Sequence, residues 1–182
     1  MPRILITALL ALCACSTEAP LLPAPGYRDR DIPMGSIAMF DPARFAGRWY
    51  EVASYPVPFQ AGCRNTQALY AVQPDGTLSV ENSCQGQDGA LRRIEGEARP
   101  IGPGRLEVTF DTVPFLSSPY WVLWVDESYR TAVVGVPSGR AGWILNRDPS
   151  IPPDRLEAAK TILAFNGYDL SRLRETPQRA LP

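Results

Sequence analysis

Between Gly47 and Arg147 the chain alternates short β-type runs with clusters of turn residues. Eight runs rich in branched and aromatic side chains stand out: Trp49–Tyr55, Asn65–Val72, Thr77–Cys84, Leu91–Ala98, Arg105–Asp111, Tyr120–Asp126, Thr131–Val136 and Gly142–Arg147. The separators run from Pro56 to Gly62, Pro74 to Gly76, Gln85 to Gly89, Pro100 to Gly104, Pro114 to Pro119, Glu127 to Arg130 and Pro137 to Gly139. Most are short enough to join sequential neighbours as hairpins. A meander of this kind keeps two open edges unless it closes on itself, and an up-and-down barrel removes them. Eight strands enclose an interior just wide enough for packed side chains or one small ligand.

The period changes after the last run. Pro152-Pro153 opens a helix, and Asp154 and Glu157 suit its positive end. Leu156, Ala159, Ile162 and Leu163 fall on one face, and Asn166-Gly167 closes it. That stripe needs a surface to cover, and the outer wall of the barrel is the one available. The predicted fold is all-β: an eight-stranded antiparallel barrel with one C-terminal α-helix packed outside. Tyr168–Arg174 reads as a further extended segment at a sheet edge, and residues 177–182 read as a loose tail.

Composition narrows the chemistry. The 182 residues are 45% hydrophobic, enough for one domain with a sizeable core. Formal net charge is −1, and no basic stripe is present to bind nucleic acid. Histidine is absent, which removes Ser-His-Asp and Cys-His catalysis and the commonest zinc ligand. No metal site and no cofactor is expected. Nineteen prolines and 14 glycines fit a turn-rich β protein.

The N-terminus reads as a targeting segment. Arg3 precedes an apolar stretch, Ile4 to Leu12, that is too short to span a bilayer as a helix. Leu12-Cys13-Ala14-Cys15-Ser16 then resembles a bacterial lipoprotein cleavage box. This makes residues 1–14 a signal peptide and Cys15 a lipid anchor; an ordinary secretory peptide is the alternative. Ser16 in place of Asp favours the outer membrane. Residues 15–38, rich in Pro and charge, read as a tether, and 39–176 as the folded domain. Cys63 and Cys84 remain as an even pair in an oxidising compartment, which predicts one disulfide. Counting back from the Pro74-Asp75-Gly76 turn leaves them a diagonal apart, so an irregularity near Gly62 or Gly86 is needed to bring them together.

Three marks resemble the lipocalin family, in particular the bacterial outer-membrane lipocalins grouped with the apolipoprotein D type. Gly47-Arg48-Trp49 opens the first strand, an Asp126-centred turn follows the sixth, and Arg147 ends the eighth. The turn departs from the commoner Thr-Asp-Tyr by carrying Val125 and Glu127. The resemblance spans residues 40–175. It implies a cup whose foot is plugged by Trp49 beneath the Arg147 guanidinium, with Gly47 where the chain must bend.

Strand alternation, aligned on these marks, predicts the lining. Ala53 and Tyr55 share the parity of Trp49. Tyr120, Val122 and Trp124 form one face of the sixth strand. Thr66, Ala68 and Tyr70, then Leu106, Val108 and Phe110, then Ala132, Val134 and Val136, and finally Trp143 and Leu145 complete the set. Tyr55, Phe59, Phe115 and Tyr120 are placed at the open end, with Arg64 or Arg92 available to an anionic head. The bland reading is that these aromatics simply fill a core.

The resemblance implies a ligand of the fatty-acid or lysophospholipid class and no enzymatic activity. The protein is expected to act at the membrane through Cys15, as a monomer or weak homodimer. Two other functions compete. One is a structural envelope lipoprotein with a filled barrel. The other is an isomerase or epoxide-processing enzyme using a lining tyrosine or Glu51, which shares the inward parity of Trp49 and is expected to be buried beside an arginine or to sit near the wall.

Overall fold

The computed structural model describes residues 26–178. Cys15, the leader before it and residues 179–182 lie outside the described residues. Each of the eight predicted runs is a strand: β1 Gly47–Ser54, β2 Arg64–Val72, β3 Leu78–Gln85, β4 Leu91–Gly102, β5 Arg105–Phe110, β6 Ser117–Val125, β7 Thr131–Gly135 and β8 Gly142–Asn146. All neighbours pair antiparallel in chain order, and β1 pairs with both β8 and β2, so the barrel closes. A four-residue helix, α1 Pro42–Phe45, precedes β1, with Asp41 capping it by accepting from the Ala43 and Arg44 amides.

The C-terminal helix, α2 Pro153–Phe165, lies against the outer wall. Its predicted stripe is the buried one: Ala159 and Leu163 are fully covered, with Leu156 and Ile162 beside them. They meet Val52, Leu123, Val133 and Ile144 from the strands. Beyond the helix, β9 Arg174–Glu175 pairs with Ala53 and Ser54 of β1.

Two irregularities reverse part of the predicted lining. On β1, Glu51 pairs with Leu145 but Ala53 pairs with Ile144, so Val52 is an extra residue. On β6, Val122 pairs with Val134 but Trp124 pairs with Val133, so Leu123 is extra. An extra residue inverts the facing of everything after it. Ala53, Tyr55 and Trp124 therefore lie in the outer cluster beneath α2. Trp49, Tyr120 and Val122, which precede the bulges, stay with the inner one.

The stretch read as a tether is docked from Gly26 onward. Tyr27 N–H donates to the Gly139 carbonyl at 2.6 Å, and Ile37 N–H to the Val122 carbonyl at 2.9 Å. The Tyr27 ring stacks on Tyr55 with centroids 5.0 Å apart. Isolated aromatics, single backbone bonds and the Arg28 guanidinium, which donates to the Asn166 and Pro137 carbonyls, hold this segment, and none of these produces a periodic pattern. The predicted tail is also engaged at its start. Pro177 accepts from the Asn65 amide at 2.9 Å, and Gln178 Nε2 donates to the carbonyls of Glu51 at 2.7 Å and Thr66 at 3.0 Å.

Cys63 and Cys84 form the expected disulfide, with Cα atoms 5.5 Å apart. The irregularity that closes the diagonal lies between Arg64 and Gln67, next to the expected Gly62. Asn65 there has φ +54°, the left-handed conformation that Asn tolerates better than most residues.

Candidate ligand-binding site

One end of the barrel is sealed by side chains. Trp49 is fully buried and its indole N–H donates to the Phe45 carbonyl at 2.7 Å. Arg147 lies across it, with the guanidinium carbon 3.8 Å from the ring centroid. The same guanidinium donates to the carbonyls of Arg44, Ala46, Arg48 and Tyr129 at 2.7–3.1 Å. A planar five-donor fork is the group that can ligate so many carbonyls at once. Gly47 beside it has φ +94°, and a Cβ there would sit 3.2 Å from the Arg147 Nη1. Asp126 organises the adjoining turn: its Oδ1 accepts from the Arg130 and Thr131 amides, both at 2.6 Å. Burial works against its charge, but hydrogen bonds from Ser128, Thr131 and Arg130 outweigh this and hold the carboxyl below its ordinary value.

Above the stopper the inner core is solid. Phe45, Leu78, Leu106, Val122, Ala132 and Val134 have no exposed surface. Toward the other end the inward side chains Phe110, Tyr120 and Trp143 are only half-buried. A chain of polar contacts crosses the barrel at this level. Tyr70 Oη donates to Tyr120 Oη at 2.9 Å, and Tyr120 stacks on Trp143 with centroids 6.0 Å apart. The Trp143 indole donates to Gln60 Oε1 at 3.3 Å. Indole N–H is donor-only, so the Gln60 amide nitrogen faces the other way, toward Glu51 Oε2 at 2.8 Å. Thr176 Oγ1 donates to Glu51 Oε1 at 2.6 Å. Burial pushes the Tyr70 phenol up to about 12. It pushes Tyr120 well above its ordinary value, reinforced by Tyr70 and the Glu51 charge.

The mouth is formed by the loops after β1, β3, β5 and β7. Beside it lies a hollow of about 630 Å³, bordered by Val57, Gln60, Cys63, Thr66, Thr176 and Glu51. It exists because β1 and β2 pair only from Gly47 to Tyr50 and then part. A second hollow, of about 610 Å³, lies at the sealed end on the outer surface around Arg130, Asp148 and Arg155, away from the lining described above.

Of the predicted lining, Ala68, Tyr70, Val108, Phe110, Tyr120, Val134 and Trp143 sit in or against the inner cluster. Phe59 and Phe115 lie on mouth loops and are 70% and 90% exposed. Tyr55 is fully buried between Tyr27 and Tyr168, away from the mouth, and Trp124 packs under α2; both placements correct the prediction. Glu51 is 5% exposed, and of its two expected settings, beside an arginine or near the wall, the arginine is absent from its hydrogen bonds: Gln60 and Thr176 hold it. Arg64 donates to Gln85 at 3.1 Å, and Arg92 is exposed near the mouth. Leu78, Val80 and Ala98 also line the interior, and their alternation was visible in the sequence. Gln60 and Thr176 carry no such signal, because both lie outside the periodic runs.

The lipocalin-like domain family model matches residues 40–178. The chain is a lipocalin. Temperature-induced lipocalin-1 of Arabidopsis thaliana is 37% identical over 149 residues, covering 76% of this chain and 80% of that protein. Apolipoprotein D of Macaca fascicularis is 35% identical over 152 residues, covering 79% of each. Among solved structures, insecticyanin from the tobacco hornworm Manduca sexta superposes with a TM-score of 0.68 at 22% identity, over 85% of this chain and 88% of that one. Lobster apocrustacyanin A1 gives 0.65 at 16% identity, over 87% and 94%. Lipocalins typically bind small hydrophobic ligands. In this lipocalin the stopper closes one end of the barrel, and the half-buried Phe110, Tyr120 and Trp143 stand toward the other.

Proposed function

We propose that this lipocalin is a lipid-anchored envelope protein that holds a small hydrophobic molecule, of fatty-acid or lysophospholipid type, for storage or transport. One observation carries the reading: an apolar barrel sealed at its foot, whose inward aromatics toward the other end, Phe110, Tyr120 and Trp143, are only half-buried. Apolar contact there is worth about 25 cal/mol per Å² removed from water, and the few polar groups supply orientation. Ala68, Tyr70, Val108 and Val134 belong to the packed inner cluster beneath these three rings. Phe59 and Phe115, on the mouth loops, are placed to meet a guest on its way in.

The anchoring half of the proposal rests on the lipoprotein-type box at Cys15, and Ser16 supports delivery to the outer membrane. Binding is favoured over catalysis because Glu51 is held in place by Gln60 and Thr176, one hydrogen bond on each carboxylate oxygen, and the chain has no histidine to pair with it. The working form is a monomer or weak homodimer.

The test is displacement. Purified protein should bind the neutral fluorophore N-phenylnaphthylamine saturably at micromolar concentration and release it to single-chain lipids. Mass spectrometry of gently isolated protein should show a lipid-derived mass. Neither binding nor co-purified lipid would leave the barrel as a filled structural element.

A further inference from the structure

The chain that leads from Cys15 joins the domain at the mouth. Gly26 lies against the loop after β7, where a Cβ would sit 2.8 Å from the Ser138 carbonyl oxygen. Tyr27 N–H and Arg28 Nη1 donate to the Gly139 and Pro137 carbonyls of the same loop, at 2.6 Å and 3.2 Å. Tyr27 Oη donates to the Pro56 carbonyl of the loop after β1 at 2.6 Å. From there the segment runs down the wall. Ser36 Oγ donates to the Pro103 carbonyl in the β4–β5 turn at 2.9 Å, and Asp41 N–H to Tyr129 Oη beside the foot at 3.0 Å. Only residues 16–25 therefore separate Cys15 from the docked chain. They span at most about 40 Å, whereas a free tether over 16–38 would have reached about 80 Å. The nine residues of β6 alone run about 30 Å at about 3.3 Å each. Setting the foot on a membrane takes up most of the shorter reach merely to pass the barrel, and setting the mouth there takes up none.

The mouth loops carry apolar side chains in water. Phe59 after β1, Leu91 at the close of the loop after β3, and Phe115 and Leu116 after β5 are each at least 60% exposed. The foot exposes Met39, Val72 and Ile101 as well, so exposure alone does not choose an end, and the entry point of the tether does. Charges around the rim are of both signs, Asp88 and Asp111 with Arg92 and Arg140, so attraction to an anionic surface is not what the rim is built for.

We infer that the mouth rim is a docking surface for a phospholipid bilayer: the anchored protein lies mouth-down, with the loops after β1, β3 and β5 set into the membrane surface. The inference rests on the anchoring reading above. Phe59, Leu91, Phe115 and Leu116 leave water for the acyl region, which is a hydrophobic attachment and not an ionic one. The short tether holds them at the bilayer and removes most of the freedom that docking would otherwise have to overcome. A guest then passes between bilayer and barrel without crossing water.

The experiment uses the full acylated chain, reconstituted into vesicles of phosphatidylethanolamine and phosphatidylglycerol. Carboxylates open to water are coupled to glycinamide with a water-soluble carbodiimide and located by peptide mass spectrometry. Asp88 and Asp111 stand on mouth loops, Asp75 and Glu127 on turns at the foot, and all four are exposed. The reference is Phe59→Ser combined with Phe115→Ser and Leu116→Ser, which keeps the acyl anchor. On the same vesicles Asp88 and Asp111 should be labelled several-fold less in the parent than in this variant, and Asp75 and Glu127 equally in both. If the variant loses its β-sheet circular dichroism, Phe115→Ser alone, at the most exposed of the three positions, decides. The difference should persist at about 1 M salt, where the Debye length is about 3 Å. Its loss there assigns the contact to charge and overturns the docking. Equal labelling of the mouth in parent and variant overturns it too, while sedimentation with the vesicles leaves the anchor standing. Protection that grows with protein density in the vesicles assigns the rim to a second copy of the chain and also overturns it. A chain without an acyl group on Cys15 removes the anchoring reading, and the docking with it.

Discussion

Trp49 and Arg147 show how much of a fold one residue pair can hold. The indole closes the foot of the barrel, and the guanidinium gathers carbonyls from α1, from β1 and from the turn before β7. Removing the indole leaves a cavity that surrounding strands cannot collapse into, because each is tied to two neighbours. Trp49→Ala should therefore destabilise the protein by about 3–5 kcal/mol, the range for large aromatic truncations. The check is the midpoint of a denaturant titration, which should fall clearly. The three marks that identified this end are all there as read, because each is a local sequence with a local role. Glu51 differs. Its burial followed from parity, but its partners, Gln60 and Thr176, lie 9 and 125 positions away along the chain. No spacing rule links them.

Among the elements, the strands and the helix were legible because their periods are distinct and their separators carry Pro, Gly and Asp. What escaped was the pair of bulges at Val52 and Leu123. Each adds one residue to a strand, leaves the run of apolar residues unbroken and reverses the facing beyond it. Both lie in the outer cluster that also holds Ala159 and Leu163 of α2, and they turn Ala53, Tyr55 and Trp124 out of the barrel into that cluster. The helix thus covers a wall that alternation alone would have made partly polar. Leu163 is its largest side chain with no exposed surface. Leu163→Ala should cost about 2–5 kcal/mol. Thermal unfolding should shift downward accordingly, and an unchanged transition would mean that α2 is an appendage and not part of the core.

At the scale of the whole molecule, the two apolar cores share a wall and are studded with phenols. Burial raises Tyr70 and Tyr168 to about 12 and also raises Tyr55 and Tyr120 well above the ordinary phenol value. The sign follows from linkage. Unfolded tyrosines lose their protons above about pH 10, whereas the folded protein keeps them. The unfolded state then binds fewer protons, so stability falls as pH rises. It is intact below pH 10 and declines as the pH approaches the folded values near 12. An alkaline titration should show the tyrosinate absorbance of these four of the seven tyrosines appearing together with loss of β-sheet circular dichroism. Tyrosinate absorbance from all seven before the fold is lost would contradict the burial of these rings.

The sequence by itself determined the closed meander, the outside helix, the disulfide partners and the sealed foot. These depend on period, turn chemistry and motifs carried within short stretches of chain. Only the tertiary structure decided which side chains face inward beyond Val52 and Leu123, where β1 and β2 part, and what occupies the gap. A strand's facing changes with one inserted residue, and whether a residue is inserted is settled by pairing with a neighbour distant in sequence. The hollow at the mouth is a consequence of that pairing, so no stretch of sequence contains it.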